Sequence, residues 1–177
     1  MKPKAVIVYK SRYGATTEYA RLLSQILNIP AYETSKITDS KLDEYDIVIA
    51  GGSVYVGKIQ VAKWMNEKKQ ILSRKEVFLF VVCGSPGINE AERAVMLSKN
   101  IDKSLINRAD VTFLKGRMMK RNLSFIDNFL LRMGAALQKN AADRKRMLTD
   151  FDEVRKENLD DLVKKIKLLA TLEPATN

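Results

Sequence analysis

Apolar residues fall along this chain in short unbroken runs, separated by longer stretches where they recur every three or four positions. Lys4 to Tyr9, Asp46 to Ala50, Val77 to Val82 and Val111 to Leu114 are rich in β-branched and aromatic residues, the pattern of strands buried on both faces. Ala31 to Thr34 is shorter and partly polar, as suits a second strand at a sheet edge. Between these runs, Thr16 to Leu27 places Ala20, Leu23 and Leu27 at helical spacing, and Val61 to Leu72 and Ala91 to Ile101 continue the alternation. A closing helix over Asn158 to Leu169 brings Leu159, Leu162, Val163, Ile166 and Leu169 onto one face. The pattern predicts an α/β fold: a doubly wound, five-stranded parallel sheet with helices on both faces.

Glycine positions sharpen this picture. Gly14 follows the first strand, Gly51, Gly52 and Gly57 the third, Gly84 and Gly87 the fourth, and Gly116 the fifth; Gly134 alone sits in a helical pattern. Glycine permits positive φ and a close approach of backbone to ligand. Ligands of open α/β sheets bind outside the carboxyl ends of the strands, where the strand order reverses. A second strand without such a glycine fits the edge of a sheet ordered 2-1-3-4-5. The plainer reading, that turns after strands simply favour glycine, accounts less well for their absence before strands.

Composition removes whole classes of chemistry. The 177 residues fit one domain, 1–177, and include no histidine, which excludes Ser-His-Asp and Cys-His catalysis and imidazole metal sites. No metal site is expected, and no paired acids nominate a general base, so the catalytic residues stay unassigned. A single cysteine, Cys83, rules out an internal disulfide or a CxxC motif and points to a reducing compartment. Cys83 itself reads as a small buried residue at a strand end rather than a redox thiol. No run approaches the roughly 18 apolar residues of a membrane span. The apolar stretch after the first lysines, Ala5 to Tyr9, is too short for a secretory signal, so a cytoplasmic location is expected.

Between the first strand and the first helix lies Ser11-Arg12-Tyr13-Gly14-Ala15-Thr16-Thr17, hydroxyl side chains and a glycine with no carboxylate before Glu18. A helix start offers unpaired N–H groups and partial positive charge, which suit a phosphate. The alternative is that Thr16 is an N-cap and Ser11 an ordinary turn residue. The loop is neither GxxxxGK[ST] nor GxGxxG, so nucleoside triphosphates and Rossmann dinucleotides lose support. Ile7 to Thr16, followed by Ala20 and Leu23, resembles the phosphate-loop signature of the flavodoxin family. That resemblance implies FMN, its phosphate held by Ser11, Arg12, Tyr13, Gly14, Ala15 and Thr16. It further implies a second flavin loop with Ser53, Val54 and Tyr55 and a third with Cys83, Gly84 and Ser85. Tyr55 would stack on one face of the flavin. The third loop lacks an aromatic residue, which leaves the other face open to a substrate.

A narrower resemblance covers nearly the whole chain. The loop Ser11 to Thr16, Gly51 to Gly57, Lys115 to Met118 and Thr149 to Phe151 look like those of the flavodoxin-like, menaquinone-dependent protoporphyrinogen oxidases and their uncharacterised relatives. It implies an FMN-dependent oxidoreductase passing electrons from a reduced substrate to a quinone. The alternative is a flavodoxin-type carrier between protein partners.

Charge gives these readings a location. The net charge is +10, and the segment from Lys115 to Arg146 holds nine basic residues against Asp127 and Asp143. Within this basic insert, at about 117–147, Phe125, Ile126, Phe129, Leu130, Met133 and Leu137 recur near helical spacing, with Ser124 or Asn122 as cap. Such a helix can lie on an anionic membrane, cover a substrate bearing carboxylates, or pack on the sheet with a solvated basic rim. Arg117, Lys120 and Arg121 are the candidates to meet substrate or membrane. Nucleic acid is not expected, because no binding motif accompanies the charge. Positive potential near a flavin would also favour its reduced form, although surface charge is screened within about 8–10 Å.

Overall fold

The computed structural model describes residues 3–84, 89–137, 140–141, 144–145 and 148–172, with residues 170–172 by backbone only. Five parallel strands form its centre: β1 (Ala5–Lys10), β2 (Ala31–Glu33), β3 (Ile47–Tyr55), β5 (Glu76–Cys83) and β6 (Asp110–Lys115). Their order is β2-β1-β3-β5-β6, the expected 2-1-3-4-5 arrangement with the short polar strand at the edge.

Strand alternation sorts the core into two layers. Val6, Val8, Val48, Ala50, Leu79 and Val81 point to one face. There they meet Trp64 and Met65 of α3 (Ala62–Glu67), Leu72 of α4 (Lys69–Leu72) and Leu105 of α6 (Lys103–Ile106). Ile7, Ile47, Ile49, Phe78 and Phe80 point to the other face. Their partners are Tyr19, Ala20 and Leu23 of α1 (Ala15–Leu27), and Leu159, Leu162 and Ile166 around α8 (Asp160–Leu172). Burial on both faces explains the unbroken apolar runs. The short α2 (Asp39–Asp43) is capped by Thr38, and α5 (Glu90–Asn100) opens with a reciprocal Asn89–Glu92 capping box.

Three expectations need correction. The helix predicted over Val61 to Leu72 is two helices, broken at Lys68, where adjacent Lys68 and Lys69 are drawn to different acids, Asp39 and Asp102. The third strand does not stop at Ala50. It runs through both glycines to Tyr55 and folds back on β4 (Lys58–Ile59). Gly51 and Gly52 are therefore strand residues chosen for space. A Cβ on Gly51 would stand 2.0 Å from the Phe80 ring, and one on Gly52 2.8 Å from the Val61 backbone.

After β6 the chain makes a two-residue strand, β7 (Arg117–Met118), which pairs with β8 (Phe151–Asp152). The basic insert lies between them. Its helix, α7 (Phe125–Ala136), is capped by the Ser124 hydroxyl, which accepts the Asp127 N–H at 3.1 Å. Of the two caps anticipated, Ser124 serves. Among the described residues no helix is long and apolar enough to cross a membrane.

Phe80 is fully buried and cannot swing aside for a methyl group. Gly51→Ala is accordingly expected to cost about 1–3 kcal/mol, read as a lowered midpoint in denaturant unfolding.

Candidate functional site

At the carboxyl edge of the sheet, β1, β3, β5 and the β7–β8 ribbon surround a cleft of about 830 Å³, roofed by α7. This size falls within the roughly 300–1,000 Å³ of small-molecule sites. Ser11, Arg12, Tyr13 and Ala15 line one end; Ser53, Val54 and Tyr55 line the β3 side; Cys83 and Gly84 lie at the end of β5. Residues singled out from three separate stretches thus line one cleft, while Gly14 and Thr16 are not among its lining residues. Ser85, with Gly87, lies outside the described residues.

The α1 start presents open N–H groups, which suit an anion. Gly14 stands at the N-cap with φ +87°, where glycine alone is unstrained, and it offers no side chain to the helix N–H groups. Ser11 Oγ accepts the Gly14 N–H at 3.2 Å and so fixes the loop. Thr16 does not serve as the N-cap. It lies inside the first turn, 0% exposed, and its hydroxyl has no partner among the described residues. Ser53 Oγ is likewise buried without a partner. A buried hydroxyl left unbonded is costly; Ser53 lines the cleft, and Thr16 follows Ala15, which lines it, in the first turn of α1.

Val54 and Tyr55 sit on a strand rather than in the expected loop, and this rigidity aims the Tyr55 ring. The turn beyond is Val56-Gly57, with φ of +46° and +70°. A β-branched residue with left-handed backbone is rare and strained. Val56 is exposed at the cleft mouth, so nothing in the core compels it.

A carboxylate that the sequence did not single out occupies the middle of the cleft. Asp127, on α7, is 5% exposed. It accepts two hydrogen bonds from the Arg12 guanidinium, at 2.9 and 3.1 Å, and one each from the Tyr13 and Tyr55 hydroxyls. The Arg12 guanidinium also stacks on Tyr55, 3.9 Å from the ring centre. The bond to Asp127 raises the already high pKa of Arg12, against the opposing effect of burial. Arg12 is thus engaged with the Tyr55 ring and with Asp127, and no bond from it reaches the Thr16 hydroxyl.

Phe151 is a second residue that sequence reasoning missed in this role. It stands over Gly84, where an added Cβ would lie 3.0 Å from the ring, and it lines the cleft. The third loop lacks an aromatic side chain of its own, and β8 brings one to it. Cys83 is buried, its thiol directed to the Leu114 carbonyl at 3.8 Å, in keeping with a packing role.

Arg117 lines the cleft too, but its guanidinium is committed to Asp152 and Glu18, each at 2.7 Å, joining the ribbon to α1. These bonds raise the Arg117 pKa. For Asp152, burial opposes ionisation, but hydrogen bonds from Arg117 and the Val154 N–H outweigh it and hold the carboxyl below its usual range. Lys120 and Arg121 lie exposed on the 3-10 turn before α7 and form no ion pair among the described residues. No cluster of His, Cys, Asp or Glu among the described residues could hold a metal ion.

A family model for the flavodoxin domain matches residues 6–145, and the chain belongs to that family. It is 30% identical over 84 residues to the uncharacterized protein MJ0298 of Methanocaldococcus jannaschii, a match covering 47% of this chain and 56% of that protein. Among solved structures it is similar to the rubredoxin oxygen:oxidoreductase of Desulfovibrio gigas, with 21% identity, TM-score 0.46, and 84% and 38% of the two chains covered. It is also similar to a Lactobacillus acidophilus flavoprotein in complex with FMN, with 17% identity, TM-score 0.45, and 64% and 92% covered. At TM-scores below 0.5 these likenesses add nothing to the fold already defined by the strand order. The chain thus spans about half of the curated relative and about two-fifths of the Desulfovibrio chain. The narrower resemblance to protoporphyrinogen oxidases finds no counterpart among these relatives.

Two outcomes check this geometry. Asp152 has a depressed folded pKa, so its stabilising contribution is complete above the unfolded value of about 3.9 and lost as pH falls through the folded value. Asp152→Asn should therefore remove part of the acid limb of a Tm-against-pH profile. Val56→Asn relieves the strained turn and should raise stability by about 1 kcal/mol, measured by denaturant unfolding.

Proposed function

We propose that the cleft binds FMN and that the protein is an oxidoreductase passing electrons between a reduced substrate and a quinone. The observation that carries this reading is a cleft-edge helix start whose Gly14 leaves the N–H groups open, with Thr16 in its first turn and Ser53 on the cleft wall, both hydroxyls buried without a partner among the described residues. The first turn of α1 with Ser11 and Thr16 would hold the phosphate, and Ser53 the polar edge of the ring. Tyr55 would provide a stacking face, with Phe151 across the cleft. Bound FMN would supply the electron chemistry; the protein positions it and sets its surroundings.

Asp127 meets only donors, so its role in the cleft is that of an acceptor that fixes the Tyr13 and Tyr55 hydroxyls. Met118, Leu123, Leu130 and Leu131 give the rest of the cleft an apolar wall. That wall suits a quinone ring better than the surface of a protein partner, and favours the enzyme over the carrier. Protoporphyrinogen is the reduced substrate to try first, on the sequence resemblance. Its carboxylates would meet Lys120 and Arg121 more readily than the doubly paired Arg117.

The test begins with the visible spectrum of the purified protein, with FMN added if it is colourless. Titration with menaquinol and protoporphyrinogen follows. Flavin that is reduced by protoporphyrinogen and reoxidised by a quinone supports the oxidoreductase. Bound flavin inert to both returns the carrier reading, and failure to bind FMN overturns the site. Thr16→Val should weaken FMN binding by roughly 1.5–3 kcal/mol, the worth of a hydrogen bond to a charged group, measured by fluorescence quenching on binding.

A further inference from the structure

The helix α7 has two apolar faces, and the cleft accounts for only one of them. At about 100° per residue, Asp127, Leu131 and Gly134 fall together and line the cleft, with Ala135 buried beside them. The opposite arc, about 120° wide, carries Phe125, Phe129, Met133, Ile126 and Leu137, while Leu130 at its edge turns toward the cleft. Phe125 is 89% exposed, Leu137 81%, Ile126 67%, Phe129 57% and Met133 49%. No charged residue interrupts this arc. A helix that merely roofed a cleft would turn polar side chains to water there. A contiguous exposed patch of this kind marks an interaction surface.

Charge names the occupant. Lys120 and Arg121 precede the helix, Arg132 edges the arc, and Lys145 follows; all are exposed and make no ion pair among the described residues. The one acid on α7, Asp127, is turned inward and consumed by Arg12, Tyr13 and Tyr55. Asp150 lies near Lys120 but accepts its backbone N–H at 2.9 Å. A two-fold contact between copies of this chain would press two basic rims together with no acid on the patch to match them. An anionic bilayer offers what both parts require, an apolar layer beneath a plane of negative headgroups.

We propose that the outer face of α7 docks on an anionic lipid bilayer. The helix lies in the interface plane with Phe125, Ile126, Phe129 and Leu137 directed into the acyl boundary. Lys120, Arg121 and Arg132 lie against lipid phosphates. This assignment stands independently of which cofactor fills the cleft, because it uses the face turned away from it.

Vesicle flotation of the full-length protein tests it, with phosphatidylcholine vesicles containing phosphatidylglycerol compared with phosphatidylcholine alone. Each cation near an anionic surface is worth roughly fivefold in partitioning, so three should give about a hundredfold preference for the anionic vesicles. High salt should erase most of that preference. The double variant Phe125→Asp, Phe129→Asp changes exposed positions only and should keep the wild-type thermal midpoint while losing at least about tenfold in partitioning. Three results would overturn the proposal: no flotation with anionic vesicles, equal flotation of the double variant, or a dimer in sedimentation velocity that the double variant abolishes while the vesicles are ignored. The last would reassign the face to a second copy of the chain.

Discussion

A carboxylate almost wholly removed from water must be met by donors, and Asp127 is the point on which the arrangement of this site turns. Its partners come from the loop after β1 and from the end of β3, while the carboxylate itself rides on the insert. One residue therefore fastens α7 to two separate parts of the sheet edge. Removing Arg12 would leave that carboxylate buried without a counter-charge, a larger cost than the loss of an exposed ion pair. The insert is consequently held over the cleft by a polar clasp, and its apolar residues are left to line the wall or face outward.

The clasp also divides labour within the phosphate loop. Ser11 and Gly14 shape the backbone, and Thr16 keeps its hydroxyl in reserve. Arg12 and Tyr13, their neighbours, reach across to the roof. Under the proposed function a short stretch of sequence would serve anion binding and roof attachment together, with the left-handed Gly14 between the two at the helix start.

Much of this was legible beforehand, for physical reasons. Strands buried on both faces leave unbroken apolar runs, and a helix with one buried face leaves a periodic one. The five parallel strands, α1 and the closing helix could therefore be read directly. Gly51 and Gly52 misled because a glycine required by a neighbouring Phe80 ring or Val61 backbone looks, in sequence, like one required by a turn. β4, β7 and β8 are two residues each, too short to show any period. Asp127 escaped notice because its meaning lies in partners 72, 114 and 115 positions away. Phe151 was quoted as part of a motif, yet only the β7–β8 pairing places it over Gly84.

The pairing of Met118 with Phe151 and of Arg117 with Asp152 brings the two ends of the insert side by side. The entropy of closing that long loop is met within the ribbon, and grows only slowly with the number of residues enclosed. The segment from Met119 to Asp150 is therefore a cassette. It can be lengthened or shortened outside α7 while the sheet remains intact, provided Asp127 keeps its place over Arg12, Tyr13 and Tyr55, so the roof over the cleft can diverge without any renegotiation of the core.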